Sequence, residues 1–321
     1  MFKKKHALTL AILSTSAMSA QAFENVTVIT SAAFQNKNLS FDQKYSGAAN
    51  NKAEFSVDMP MLSLGTTVVY KKFFTSLKWE SNLSDTSTST KETDRSTVGE
   101  VNLIALPDSR VEVGREDISL TFGYNVWKSA NIFIGYLSGK TTLKPNPFCG
   151  DFVRVSDQND LDNSPDAPSL ISRCDRQNRA GFQYALEDEG LVNNQPTYEQ
   201  EYTESGLFLG GSYGFSFDDY GTLSLSFAYA SMTGKYKDNA RDGGVVLDDS
   251  FKAFNYKGDS TGTSIAATWT APLGETSAYT IDLRRQAYSM DGKDQTGNLS
   301  GVKLETDEEM LGLTAGVQFY F

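Results

Sequence analysis

Three pairs of oppositely charged residues, each pair two positions apart, lie in alternating segments of this 321-residue chain. They are Lys78 with Glu80, Arg115 with Asp117, and Asp282 with Arg284. Because side chains of a β-strand alternate between its two faces, both members of each pair point to the same side. Two roles are open for them: a salt-bridge network that fills a narrow interior, or a polar lining for the path of a small solute. The pairing of opposite signs favours the network.

Histidine is nearly absent from the sequence. The single histidine, His6, lies in an N-terminal segment that is interpreted below as a cleaved signal peptide. A Ser-His or Asp-His catalytic set needs a side chain that takes and returns a proton near neutral pH, and histidine-ligated metal sites need the imidazole itself. The processed chain is therefore expected to contain neither. We expect no enzyme, although a carboxylate-pair hydrolase stays open in principle.

Two cysteines, Cys149 and Cys174, lie 25 residues apart in one long connection. In an oxidising compartment such a pair predicts a disulfide, worth about 3–4 kcal/mol from loop closure. Thiol chemistry is the alternative. The same ring holds a cluster of acidic residues, Asp157, Asp160, Asp162 and Asp166. Spaced carboxylates can bind calcium, but the EF-hand spacing, its glycine and its closing glutamate are missing, which favours a solvated acidic loop.

Alternation of apolar and polar residues predicts ten strands. They cover residues 26–34, 62–70, 73–79, 118–124, 132–136, 207–217, 223–229, 265–269, 279–283 and 311–321. The connections between them alternate in length. Long ones are expected at 35–58, 82–112, 142–203, 234–259 and 290–307, and short ones follow every even-numbered strand. The short connections require antiparallel hairpins.

The last twelve residues read MLGLTAGVQFYF, with apolar side chains at every second position back from Phe321. This segment resembles the closing strand of Gram-negative outer-membrane β-barrel proteins, the class in which a C-terminal phenylalanine is read as an assembly signal. The resemblance implies that Phe321, Phe319 and Val317 form that signal and that the barrel-assembly machinery is a partner. It also implies that lipid and lipopolysaccharide surround the chain.

The expected fold is an all-β, transmembrane antiparallel barrel of about ten strands, with short periplasmic turns and long outer loops. Residues 98–105 could form another strand. Because such barrels have even strand numbers, we interpret 98–105 as part of a hairpin above the membrane. A twelve-stranded barrel is the alternative.

The N-terminal segment 1–22 has the features of a secretory signal peptide. Lys3, Lys4 and Lys5 precede an apolar core, and a small-x-small cleavage site ends at Ala22. Residues 23–321 are then expected to form a single barrel domain. The chain is acidic, with a formal net charge of −11, which argues against nucleic acid as a partner.

The function expected from these features is non-catalytic. The enzymes of the resembled class (omptin proteases, phospholipase A, lipid A deacylases) depend on a catalytic histidine. We therefore expect a barrel that displays acidic, disulfide-stapled loops for surface interaction or envelope integrity, with no cofactor and an unknown extracellular ligand. A narrow channel or transporter for a small solute is the alternative. Arg285 has lipid-facing parity, which predicts either a bulge or a position near lipopolysaccharide phosphates. Three tryptophans, Trp79, Trp127 and Trp269, are expected in interfacial girdles.

Overall fold

The structure, a computed structural model, describes residues 26–46, 52–98, 101–105, 108–145, 152–155, 198–240, 255–295 and 302–321. Almost all of these residues lie in thirteen β-strands. The strands are β1 (Val26–Ser46), β2 (Lys52–Tyr70), β3 (Phe73–Asn82), β4 (Thr86–Val98), β5 (Val101–Ala105), β6 (Asp108–Asn125), β7 (Ala130–Pro145), β8 (Phe152–Val155), β9 (Tyr198–Ser216), β10 (Thr222–Ala240), β11 (Asn255–Pro272), β12 (Ser277–Asp294) and β13 (Lys303–Tyr320). Within the described ranges, no helix has the length and hydropathy needed to cross a membrane.

The strands form a closed antiparallel barrel with ten wall positions. Its order is β1, β2, β3, β6, β7, β9, β10, β11, β12 and β13, which pairs again with β1. β4 continues the position of β3, because both pair with β2 and β6. At the closure, the Phe321 and Val28 backbone groups exchange two hydrogen bonds of 2.9 and 3.1 Å. The ten-stranded barrel predicted from the sequence is confirmed.

Two further strands extend one wall beyond the barrel. The far end of β4 pairs with β5 through the Val98↔Val101 register, and β5 pairs with β8. Val98 and residues 101–105 therefore belong to a hairpin above the barrel and add no strand to it, as the even-number argument predicts.

The two ends of the barrel differ in their connections. Short turns join β2 to β3, β6 to β7, β9 to β10, and β11 to β12 at one end. The start of β1 and the end of β13 lie at this end too, since Ile29 is opposite Tyr320. The longer connections are all at the other end. In an outer-membrane barrel these ends are the periplasmic and outer ends, respectively.

Along each long strand, the chemistry of the two faces inverts part-way. On β13 the outward side chains from Leu311 to Phe319 are apolar or small, and all are exposed, whereas the next outward residue above them is Glu309. The inward face changes the opposite way. The lower part of the inward face carries Gly316 and Thr314, and its upper part carries the buried Met310 and Leu304. An outward apolar band on a closed barrel is the surface that lipid requires. Above that band, the barrel has water outside and an apolar core inside.

This inversion corrects the predicted lengths of the connections. Eight of the strands have 18 to 21 residues, about twice the 9–11 needed to cross a bilayer. Residues 35–46 and 52–58, predicted to be part of a polar connection, instead form the parts of β1 and β2 above the band. Strands also cover most of the described parts of 82–112, 142–203, 234–259 and 290–307. In β1 and β2 the alternation continues with the apolar residues facing inward, as Leu39, Phe41, Phe55 and Val57 do.

The band gives a test with an internal control. Leu225 lies in the middle of the outward run of β10, and Ser231 faces outward on the same strand above the band. We expect Leu225→Arg to destabilise the folded barrel by about 2–4 kcal/mol, because a guanidinium near the bilayer midplane is poorly solvated. Ser231→Arg should cost less than about 0.5 kcal/mol. Unfolding free energies in lipid vesicles measure both, and equal effects would contradict the position of the band.

Candidate functional site

A layer of charged side chains crosses the lumen at the upper edge of the lipid-facing band. Arg115 on β6 is at its centre and is 3% exposed. Its guanidinium donates to Asp117 Oδ1 at 2.8 Å, to Thr141 Oγ1 at 2.6 Å and to Glu308 Oε1 at 2.5 Å. β6 and β13 are four wall positions apart. The Arg115–Glu308 pair therefore joins two walls through the interior.

Lys37 on β1 extends this layer to a third wall. Its ammonium lies 3.1 Å from Asp117 Oδ2 and 3.6 Å from Glu80 Oε2, and the lysine is 1% exposed. Glu80 Oε1 also forms an ion pair with Lys78 Nζ, at 2.8 Å. Below the layer, Arg284 lies 3.4 Å from Asp282 and is about one-third exposed. The layer is therefore most tightly packed around Arg115 and looser toward the periplasmic end.

The six charged residues singled out from the sequence all lie inside the barrel, each paired with its neighbour two positions away. Sequence reasoning missed Lys37, Glu204 and Glu308. Lys37 lies within the predicted connection 35–58, and Glu204 and Glu308 lie between the predicted connections 142–203 and 290–307 and the predicted strands that follow them. Each has the inward parity of its strand, so extending the alternation past the lipid-facing run would have found them.

Glu204 on β9 is the carboxylate of the layer that has no cation as a direct partner. Its Oε1 accepts hydrogen bonds from the Tyr202 hydroxyl at 2.5 Å and the Ser260 hydroxyl at 2.6 Å. Its Oε2, like Oε2 of Glu308, is buried without a hydrogen-bond partner. Leaving a buried carboxylate oxygen unpaired is costly while the group is ionised.

The numbers of positive and negative groups in the layer also indicate that ionised Glu204 is costly. In the layer and directly below it, the described inward side chains comprise four cations and five carboxylates, so one negative charge is in excess. The cations are Lys37, Lys78, Arg115 and Arg284, and the carboxylates are Glu80, Asp117, Glu204, Asp282 and Glu308. Glu204 lies three residues outside the lipid-facing run of β9, which begins at Leu207. Burial, and then the charge of Glu308, raise the pKa of Glu204 to about 7.

Above the charged layer, an apolar core fills the lumen. Phe41 on β1 makes an edge contact of 5.2 Å between ring centroids with Tyr202 on β9, and lies 5.4 Å from Phe55. β1 and β9 are five positions apart in a ten-position barrel, which makes them diametrically opposite. Higher still, Tyr45 contacts Tyr256 at 5.9 Å. Side chains from different walls therefore touch each other at two levels above the charges, and at the level of Phe41 and Tyr202 the two walls are opposite.

The remaining predicted residues occupy the following places. Arg285 faces outward just above the band and pairs with Glu309 at 2.7 Å, and the β12–β13 register runs through it without a bulge. Trp79 faces outward at the top of the lipid-facing run of β3 and donates to Glu116 at 2.9 Å. Trp127 is exposed in the turn after β6, and Trp269 lies near the lower end of β11.

The disulfide and calcium predictions lie outside the described residues. This applies to Cys149 and Cys174 and to the acidic cluster Asp157, Asp160, Asp162 and Asp166. Within the described part of the chain, no group of three or more histidine, cysteine or acidic residues could hold a metal ion.

The fold is that of known outer-membrane barrels. The outer membrane protease OmpT from Escherichia coli superposes with a TM-score of 0.54 at 11% identity, over 94% of this chain and 100% of that chain. The NalP translocator domain from Neisseria meningitidis (8% identity, 98% and 95% coverage, TM-score 0.37) and OprG from Pseudomonas aeruginosa (9%, 94% and 99%, 0.33) are more distant. The sequence matches no protein-family model and no curated protein.

The chain has the fold of an outer-membrane β-barrel. At 11% identity the likeness to OmpT shows the fold, and the outward apolar band of this chain independently fits a lipid bilayer. A position in the bacterial outer membrane is consistent with both observations.

Removing the cation at the centre of the layer should destabilise the barrel strongly. In Arg115→Met, Asp117 and Glu308 stay buried without their main partner, and we expect a loss of about 3–5 kcal/mol in unfolding free energy. Combining it with Glu308→Gln should restore part of the loss, because one excess charge disappears. The exposed Arg285–Glu309 pair supplies the control, and Arg285→Met should cost less than about 1 kcal/mol. Equal losses for Arg115→Met and Arg285→Met in urea titrations of the micelle-bound barrel would refute the assigned role.

Glu204 should make stability depend on pH. Because its folded pKa lies above the unfolded value of 4.5, the native state holds the extra proton between these values. Its contribution is therefore present at pH 4–5 and is lost as pH rises through about 7, by up to about 3 kcal/mol. In Glu204→Gln this slope should vanish between pH 5 and 8, while the surface variant Glu309→Gln keeps it. Midpoints of thermal unfolding across that range measure the difference, and parallel profiles for wild type and Glu204→Gln would contradict it.

Proposed function

We propose that this chain is a non-catalytic outer-membrane barrel that carries its outer loops for contacts at the cell surface or for envelope integrity. The observation that supports this most directly is the filled lumen. A barrel that conducts solute needs a continuous polar path, whereas here opposite walls are joined by Arg115–Glu308 and by Phe41–Tyr202.

The length of the strands supports the same proposal. Above the lipid-facing band, β7 and β9 continue as a pair to the Leu143↔Gln200 register. The outer ends of these two strands, between which the connection 146–197 runs in the sequence, therefore lie well above the lipid surface. That connection contains nine acidic and four basic residues and both cysteines. A stable wall that carries a long acidic segment is suited to presenting that segment outside the cell.

Replacing this segment tests the role of the loop separately from that of the barrel. Because β7 and β9 are adjacent up to their outer ends, residues 146–197 can be replaced by a four-residue Gly/Ser turn from Pro145 to Tyr198 without disturbing their pairing. We expect folded, heat-modifiable barrel at wild-type level, with loss of the surface phenotype. That phenotype is measured as cell adherence to coated surfaces and as exclusion of a large antibiotic.

The matched control replaces 241–254, between β10 and β11, in the same way. An unchanged phenotype in the 146–197 replacement would overturn loop display for this segment. Loss of the folded barrel itself would show that the loop is not separable from the wall.

A channel for a small solute is the second candidate, and the lower lumen is the observation in its favour. Below the charged layer, the inward positions are largely serine, threonine and glycine, for example Ser119, Thr121 and Ser226, and most are only partly buried. Small polar side chains leave room for water. In planar bilayers we expect no steady openings from the wild type, because the layer and the core above it close this space. Steady conductance that changes with Arg115→Met or with Arg284→Met would favour the channel instead.

A further inference from the structure

Four lysines form a straight row across the outer face of the barrel, above the lipid-facing band. Register places Lys235 on β10 opposite Lys257 on β11, Lys257 opposite Lys293 on β12, and Lys293 opposite Lys303 on β13. All four are exposed and have outward parity. With strands about 4.8 Å apart, the row spans about 14 Å.

This arrangement is unfavourable for an isolated barrel. Like charges directly opposite each other on neighbouring strands are destabilising, by several tenths of a kcal/mol for each pair. Within the described residues, none of the four lysines makes an ion pair, although Lys44 in the adjacent strand pairs with Glu305 at 3.6 Å. An anionic partner running along the row would offset the repulsion at all four positions together.

The height of the row identifies where such a partner comes from. Lys257 is eight residues above Ile265, and Lys303 is eight above Leu311, the upper ends of the outward apolar runs on their strands. At about 3.3 Å per residue and a strand tilt of about 40°, this is about 20 Å above the hydrocarbon. The row also points sideways from the wall and is not on a loop. It therefore faces the saccharide layer of the surrounding outer leaflet, above the lipid phosphates.

The carboxylates of the wall lie between the row and the lipid. Asp259, Asp291 and Glu305 form the next row toward the membrane, and Asp42 and Asp307 are opposite each other below them. A ligand whose charge lies at the lipid surface meets the Arg285–Glu309 pair just above the band and is separated from the lysines by these acids. A ligand whose anionic groups are on its sugar chain meets the lysines.

We propose that the row formed by Lys235, Lys257, Lys293 and Lys303 binds the phosphate- or carboxylate-bearing sugar chain of lipopolysaccharide in the same membrane. This contact is independent of the proposed loop function, because it uses the barrel wall and not the segment 146–197. It fixes the barrel laterally within the saccharide layer.

The test uses the full-length barrel in detergent micelles and lipopolysaccharide retained through size-exclusion chromatography, quantified by its sugar. Lys257→Gln, Lys293→Gln and Lys303→Gln together should lower retention at least about tenfold at low salt. The same three positions changed to arginine should keep it. Removing three exposed lysines at the opposite rim, with Lys71→Gln, Lys72→Gln and Lys128→Gln, is the charge-matched control and should leave retention unchanged.

Three ligands distinguish binding of the sugar chain from binding of the lipid part or of any soluble polyanion: full lipopolysaccharide, truncated lipopolysaccharide and dextran sulfate. Lipopolysaccharide with its full sugar chain should bind through the row, and lipopolysaccharide truncated to its lipid part should not. Equal, lysine-dependent retention of the truncated form would overturn the proposal, and so would lysine-dependent capture of soluble dextran sulfate without capture of lipopolysaccharide. Retention that is the same in the glutamine variant and the rim control would overturn it as well. Heat-modifiability of every variant shows whether the barrel is folded.

Discussion

The closure of β1 on β13 is the constraint on which the rest of this structure depends. In hydrocarbon, each backbone group without a partner costs several kcal/mol, so a spanning sheet must close on itself. Closing at ten positions leaves a lumen so narrow that side chains of opposite walls touch, as Phe41 and Tyr202 do at 5.2 Å. The interior is therefore a packed core, and every charge within it must find its partner among the other inward side chains.

The two interior layers follow from the medium outside the wall. Above the lipid, the barrel resembles a water-soluble barrel, and the hydrophobic effect places its apolar residues inside. Within the lipid the outward face takes the apolar residues, and the inward face is left small and polar. The charged layer lies at the height where the medium outside the wall changes from lipid to water. There Arg115 is shared by Asp117, Thr141 and Glu308, and burial and the charge of Glu308 raise the pKa of Glu204, the carboxylate without a cation partner, to about 7.

The sequence predicted the barrel well and its interior only in part. Period-two alternation with outward apolar residues located all ten wall positions and their antiparallel order. It did not follow each strand past the height at which the apolar residues change from the outward to the inward face. In β1 this change occurs above Phe34, where the apolar residues Leu39 and Phe41 have inward parity. Charge pairs such as Lys78–Glu80 are visible in the sequence because they are two residues apart. The Arg115–Glu308 pair is separated by 193 residues, and only the closed barrel brings the two together.

A barrel that is stable through its own wall and core leaves its outer connections free to differ. β7 and β9 pair directly up to Leu143 and Gln200, so the hydrogen bonds between these two strands of the barrel are complete without the segment between them. The same is true of β10 and β11 up to Lys237 and Asn255. The energy of folding thus resides in the closed sheet, the charged layer and the apolar core. Recognition is then left to the surfaces that folding does not use, which are the outer connections and the charged outer face of the wall above the lipid.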